Sequence, residues 1–294
     1  MPEGDTIYRA ARALGLALEG KVVTRFETAL APLASVDDDT PVAGRTVEKV
    51  ESRGKWLLIH FSGDLILVTH MLMSGSWHVY HAVRDGRAGD GRAGERWQRP
   101  RREMRAVIAT AECEAVAFNV PVAKFYTPRT LERNSTIPKL GPDLLGAQFA
   151  ADEAKARLLA HDDEEIAIVL LNQRVMAGLG NVYKSEVLFA CGVHPFRLVS
   201  RLTAAEVDCI LERARRFLEA NVKDGAEGGM VTYTGLRRTT RAADPTARLW
   251  VYRRQGKECR RCGTAVQMRR QGPGARSTYW CPACQPESRA RSAR

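Results

Sequence analysis

Cys259-Arg260-Arg261-Cys262 and, 18 residues further on, Cys281-Pro282-Ala283-Cys284 decide how the C-terminal end of this chain folds. Each C-x-x-C pair suits a tight knuckle that puts two sulfurs on one face of a tetrahedron, and the stretch between can form the hairpin that brings the faces together. A redox C-x-x-C is the rival, but redox motifs come singly beside a βαβ unit, and this is a doublet. The spacing predicts a ribbon built on one structural Zn2+ held by Cys259, Cys262, Cys281 and Cys284. Cys113, Cys191 and Cys209 lie scattered among apolar residues and read as small buried hydrophobes, not as disulfide partners.

Working back toward the N-terminus, the hydrophobic period changes twice. Residues 149–159, 164–172, 181–191 and 203–222 follow a helical period, with Thr203-Ala204-Ala205-Glu206 a capping box for the last. Earlier in the chain, 22–26, 46–51, 56–61, 65–71, 77–80, 105–110 and 115–119 are short β-rich runs separated by turn residues such as Ser62-Gly63-Asp64. One helix precedes them, capped by Asp5, with Ile7, Ala10, Ala11 and Leu14 as its apolar stripe. Residues 83–102, rich in Gly and Arg without periodicity, predict a long mobile loop. The expected architecture is α+β and multidomain. It comprises an antiparallel β-sandwich or barrel with a flanking helix at 1–130, a linker at 131–148, a helical domain at 149–245, the zinc ribbon at 246–285 and a disordered tail at 286–294.

At 294 residues and 45% hydrophobic, the chain can bury more than one core, and its net charge of +11 favours a polyanionic partner. Charge alone would equally suit a ribosomal or membrane-surface protein. Met1 to Ala10 carries Glu3, Asp5 and Arg9 where a signal peptide would need an apolar segment, and no run approaches the roughly 18 apolar residues of a membrane helix. The expectation is a cytoplasmic protein with no membrane partner.

Between two of the helices lies Met176-Ala177-Gly178-Leu179-Gly180-Asn181-Val182-Tyr183-Lys184. Its glycines allow close backbone approach to a partner, and a helix N-terminus offers free N–H groups to a phosphate. Taken alone, it is an ordinary helix–loop–helix turn. The chain also begins Met1-Pro2-Glu3-Gly4-Asp5-Thr6 and contains Arg53-Gly54-Lys55, His70-Met71-Leu72-Met73-Ser74-Gly75 and, before the last cysteine pair, Arg276-Ser277-Thr278-Tyr279-Trp280. In this order and over the whole chain, these pieces resemble the formamidopyrimidine-DNA glycosylase / endonuclease VIII family of base-excision repair enzymes.

That resemblance implies a helix-two-turns-helix second domain and a monomer acting on damaged DNA as a bifunctional DNA glycosylase and abasic-site lyase. With Met1 removed, Pro2 presents a secondary amine with a reference pKa of about 7.7–8.0, neutral often enough to attack the sugar C1′ and form an iminium. Glu3 is the implied general acid/base. Lys55 reaches the phosphates around the lesion and assists proton transfer. Asn181 and Arg276 clamp the backbone on either side of the flipped nucleotide, Arg because its planar fork pairs with phosphate, and Lys184 adds a phosphate contact. Met73 resembles the methionine that enters the stack when the base leaves it; without the resemblance it reads as core. The Pro-Glu-Gly start and Tyr279-Trp280 resemble the endonuclease VIII branch, which acts mainly on oxidised pyrimidines, whereas Met73-Ser74-Gly75 resembles the oxidised-purine branch. Thr6 departs from the glutamate that many members carry there. The competing reading is a non-catalytic DNA-binding protein whose helical domain and zinc ribbon simply grip duplex.

Overall fold

The computed structural model describes residues 2–81, 97–133, 137–223, 239–240 and 248–287. It divides into two compact units, the first built on the chain up to Lys139 and the second on the chain from Leu140.

The first unit begins with α1 (Gly4–Leu18), whose buried stripe of Ile7, Ala10, Ala11, Leu14 and Leu18 follows the helical period of its sequence. Asp5 does not cap it. Glu3 occupies the N-cap, and Asp5 lies wholly buried in the first turn, where Thr6 Oγ1 donates to it at 3.3 Å and Arg9 approaches to 3.9 Å. Then come β1 (Arg25–Thr28), α2 (Ala31–Asp39), β2 (Val47–Arg53), β3 (Trp56–Phe61), β4 (Leu65–His70), β5 (Ser76–His81), β6 (Met104–Ala109), β7 (Cys113–Phe118), β8 (Val122–Tyr126) and α3 (Pro128–Arg133). Two antiparallel four-stranded sheets result, ordered β1-β6-β7-β5 and β2-β3-β4-β8. Leu57, Ile59, Phe61 and Leu67 from one sheet share a core with Trp77, Val79, Ile108 and Ala115 from the other, and with the stripe of α1. This is the expected sandwich. Its β3 is apolar on both faces, because Leu58 enters a second cluster with Val68, Leu131 and Ile137.

Of the expected loop at 83–102, residues 83–96 lie outside the described residues. The remainder is packed: Trp97 meets Phe118 edge-on at 5.6 Å and donates to Glu114 at 3.1 Å, and Arg101–Glu103 form a 3-10 turn. Most of the expected tail, residues 288–294, is likewise outside the described residues.

The second unit contains α4 (Ala151–Leu159), α5 (Ile166–Val169), α6 (Asn181–Ala190) and α7 (Ala204–Lys223), then β9 (Gln267–Gln271) and β10 (Arg276–Trp280). The helices share a core of Leu158, Ile166, Leu170, Leu179, Tyr183, Leu188, Ile210 and Leu218. α5 is shorter than the run 164–172 suggested. The Gln173 amide donates to the carbonyls of Leu171 and Leu179, each at 3.0 Å, and accepts the Gly178 N–H at 3.1 Å, folding the chain into turns. Gly178 takes φ 103° in that turn, a conformation that disfavours any side chain. Cys191 and Cys209, read from sequence as buried hydrophobes, are instead joined by a disulfide with a Cα–Cα distance of 6.0 Å. One closes α6 and the other lies on α7, two elements packed side by side, so tertiary structure brings the pair together across 18 residues of sequence. Cys113 is a free, buried thiol, as expected. Among the described residues no helix is long and apolar enough to cross a membrane.

Candidate active site and metal centre

In the first unit, Pro2 and Glu3 sit buried at the head of α1. The Glu3 carbonyl accepts the N–H groups of Thr6 at 3.0 Å and Ile7 at 3.1 Å, so the start of the helix fixes where the Glu3 backbone lies. Lys55 occupies the two-residue turn between β2 and β3, made possible by Gly54 at φ 60° and closed by the pair Arg53–Trp56.

The segment after β4 has a tight internal geometry. Gly75 N–H donates to the Met71 carbonyl at 2.8 Å, and a Cβ on Gly75 would stand 2.7 Å from that oxygen and 3.1 Å from Val120 Cα. Met71 is buried, Leu72 adopts φ 44°, and Leu72 and Met73 expose 46% and 57% of their surface. Two long apolar side chains held outward on a tight turn can insert between stacked groups, and an exposed Met73 is not a core residue. Leu72 and His70, quoted in the sequence motif, were given no role there. His70 Nδ1 accepts the Leu72 N–H at 3.0 Å while its ring meets Trp56 edge-on at 4.7 Å. Burial, reinforced by the Lys55 ammonium, lowers the His70 pKa to about 4, which keeps the ring neutral and able to accept that bond. A histidine ending a strand just before the exposed turn was the available signal.

In the second unit, Asn181 is the first residue of α6 and 6% exposed; its Nδ2 donates to the Ser277 carbonyl at 2.9 Å, and its Oδ1 has no hydrogen-bond partner among the described residues. Arg276 begins β10 and is exposed, opposite Gln271 in register. Lys184, expected from the resemblance to add a phosphate contact, is buried at 1% exposure, and its Nζ donates to Thr278 Oγ1 at 2.8 Å, which ties it to the hairpin.

The four cysteine sulfurs lie within 4.8 Å of one another, with Cys262–Cys281 and Cys262–Cys284 at 3.5 Å and Cys259–Cys284 at 3.9 Å. A tetrahedron with Zn–S bonds of about 2.3 Å has edges of about 3.8 Å, so the thiolates fit one zinc ion with no open coordination position. Zinc there supplies a cross-link and no reacting position. The site packs on α6 through Phe189, Val251 and Val266. Glu186 of α6 is wholly buried and accepts the Thr239 hydroxyl and the N–H groups of Trp250 at 2.8 Å, Val251 at 2.9 Å and Tyr252 at 2.8 Å. Burial raises its pKa, offset in part by these donors, which steer the chain into the finger.

A sandwich with a terminal Pro-Glu pair, followed by a helical unit joined to a four-cysteine finger, defines a class of DNA-repair glycosylase architecture. Residues 1–134 match the formamidopyrimidine-DNA glycosylase N-terminal domain, 140–232 the formamidopyrimidine-DNA glycosylase H2TH domain, and 256–286 the zinc finger found in FPG and IleRS. The chain is 39% identical over 290 residues to a probable endonuclease 8 2 of Streptomyces coelicolor, covering 97% of this chain and 94% of the relative. It is 37% identical over 291 residues to the DNA-(apurinic or apyrimidinic site) lyase Nei2 of Mycolicibacterium smegmatis, covering 98% of this chain and 100% of that one. The fold also matches that of Lactococcus lactis Fpg, solved in complex with abasic-site DNA, at a TM-score of 0.74 and 20% identity over 97% of this chain and 99% of the other. The chain belongs to the formamidopyrimidine-DNA glycosylase / endonuclease VIII family.

Proposed function

We propose that this chain is a monomeric, bifunctional DNA glycosylase and abasic-site lyase that removes oxidised bases, mainly pyrimidines, through the amine of Pro2 after Met1 has been cleaved. The observation that carries the reading is the pair Pro2–Glu3, buried at the head of α1, with an amine-bearing residue and a carboxylate adjacent in the chain. The names of the relatives that share 37–39% identity over nearly the full length, an endonuclease 8 and an abasic-site lyase, support it.

In this mechanism the Pro2 nitrogen forms a bond to the sugar C1′ as the glycosidic bond breaks, and Glu3 delivers the proton that lets the sugar ring open. The iminium nitrogen takes up the electron pair released when a C2′ proton is removed, and the C3′–O bond breaks in the β-elimination. Loss of a C4′ proton then expels the 5′ phosphate in the δ-elimination. Lys55, on its rigid turn, contributes a cation for phosphate and a donor for proton transfer. Leu72 and Met73 fill the space the extruded base vacates. Asn181 and Arg276 bind phosphates, with zinc confined to holding the hairpin.

Borohydride reduction during turnover of an abasic-site duplex should trap a covalent complex, and intact mass should show Met1 missing. Normal cleavage by protein that retains Met1 would defeat the Pro2 mechanism. Absence of both cleavage and trapping on every lesion would leave a DNA-binding protein. A panel of lesion oligonucleotides settles the substrate: faster excision of oxidised purines would replace the pyrimidine assignment.

A further inference from the structure

A buried polar chain ties the β9–β10 hairpin to the helices, in addition to the zinc. Lys184 Nζ donates to Thr278 Oγ1 at 2.8 Å and to the Ser277 carbonyl at 3.5 Å. Thr278, wholly buried, donates onward to Gln271 Oε1 at 2.8 Å. Gln271 Nε2 donates to Glu165 Oε2 at 2.6 Å and to the Pro195 carbonyl at 3.2 Å. The chain therefore runs in one direction, from α6 through both strands of the hairpin to the residue before α5.

Arg276 is bracketed by this chain. Gln271 is its cross-strand partner, and Ser277, the residue after it, offers one carbonyl to both Asn181 Nδ2 and Lys184 Nζ. Lys184, Gln271 and Arg276 also line a single cavity of 290 Å3. Burying a lysine where a leucine or methionine could fill the space is costly unless its ammonium is bonded, so this lysine serves geometry more than packing. A hydroxyl that accepts one bond and donates another fixes the rotamers on both sides of it.

We propose that Lys184, Thr278 and Gln271 are positioning residues that hold Arg276 and Asn181 as one rigid phosphate clamp. The inference rests on the reading above that Arg276 and Asn181 grip DNA phosphates. Zinc sets where the hairpin base lies; the polar chain sets the orientation of its first β10 residue toward the backbone of the DNA.

The test uses the full-length, zinc-loaded protein and a duplex carrying a tetrahydrofuran abasic analogue, with affinity followed against salt concentration. Arg276→Ala should weaken binding about tenfold and reduce the slope of log affinity against log salt by about one phosphate contact. Thr278→Val, which keeps the shape and removes the hydroxyl, should reproduce both changes with zinc content intact. The double variant should bind no more weakly than Arg276→Ala alone, because the two act through the same contact. Thr278→Ser should restore the wild-type slope. The proposal falls if Thr278→Val binds normally, if its loss adds to that of Arg276→Ala, if Thr278→Ser is equally weak, or if the variant sheds zinc. Normal binding and slope for Arg276→Ala itself would instead remove the clamp reading, and the positioning role with it.

Discussion

His70 serves one bond that protonation would destroy. Its Nδ1 must be bare to accept the Leu72 N–H, and burial with the nearby Lys55 cation holds the pKa at about 4. Because the folded pKa lies below the ordinary 6.5, the folded state binds fewer protons than the unfolded state between pH 6.5 and 4. Stability from this group is complete above pH 6.5 and declines through that window, by about 3 kcal/mol. Histidine-resolved NMR should find one imidazole titrating near pH 4, and Lys55→Met should move it upward; an imidazole with an ordinary pKa would show the bond is not held in solution. Glu3 belongs to the same scale. Glu3→Gln should depress base excision more than cleavage at preformed abasic sites, measured on matched oligonucleotides; equal loss of both would assign Glu3 to elimination and not to base departure. The types of these residues were legible in the sequence, but their settings were not. Nothing in the string places Glu3 rather than Asp5 at the N-cap, or turns Lys184 inward, because both depend on what packs around them.

Elements followed their sequence where local chemistry dominated. The capping box of α7 forms as its residues predict: Glu206 N–H donates to Thr203 Oγ1 at 3.2 Å, and Thr203 N–H returns to Glu206 Oε2 at 2.9 Å. Glu206 also takes both guanidinium nitrogens of Arg197, at 2.8 and 3.0 Å. Thr203→Ala should cost about 1 kcal/mol in denaturant unfolding, and Glu206→Ala about 2–3 kcal/mol, since it also strands a largely buried Arg197. Equal costs would mean that the Arg197 pair is inert. Three elements went unread, α2, α3 and β8, and each lacks an apolar pattern, α3 burying only Leu131. α2 buries only Leu33, so it offers almost no apolar stripe, and β8 is an edge strand with Val122 and Lys124 exposed and only Phe125 buried within it. The Cys191–Cys209 bridge was invisible because two cysteines 18 residues apart meet only once α6 and α7 have packed.

At the scale of the molecule, the feature most legible in the sequence was the one with the most local rule, the four-thiolate spacing. The finger is fastened to α6 by Phe189, by Glu186 and by the Lys184 chain, so metal and helix share responsibility for the position of Arg276. Stripping zinc with a chelator should therefore lower DNA affinity by more than tenfold, and added zinc should restore it; unchanged affinity at zero zinc would mean that the helical unit binds alone. The sandwich and the helical unit were legible through their periodicities, whereas the division of labour between Asn181, Lys184 and the hairpin emerged only from the packed structure. The buried head of α1 has a practical consequence. If the amine of Pro2 is the nucleophile, any peptide fused ahead of Met1 converts it into a tertiary amide, and the same fusion must thread out of a site where Pro2 and Glu3 are already enclosed. An affinity tag on the N-terminus should give a well-folded protein without lyase activity, a protease cut that leaves Pro2 first should switch it on, and the identical tag on the C-terminus should do no harm.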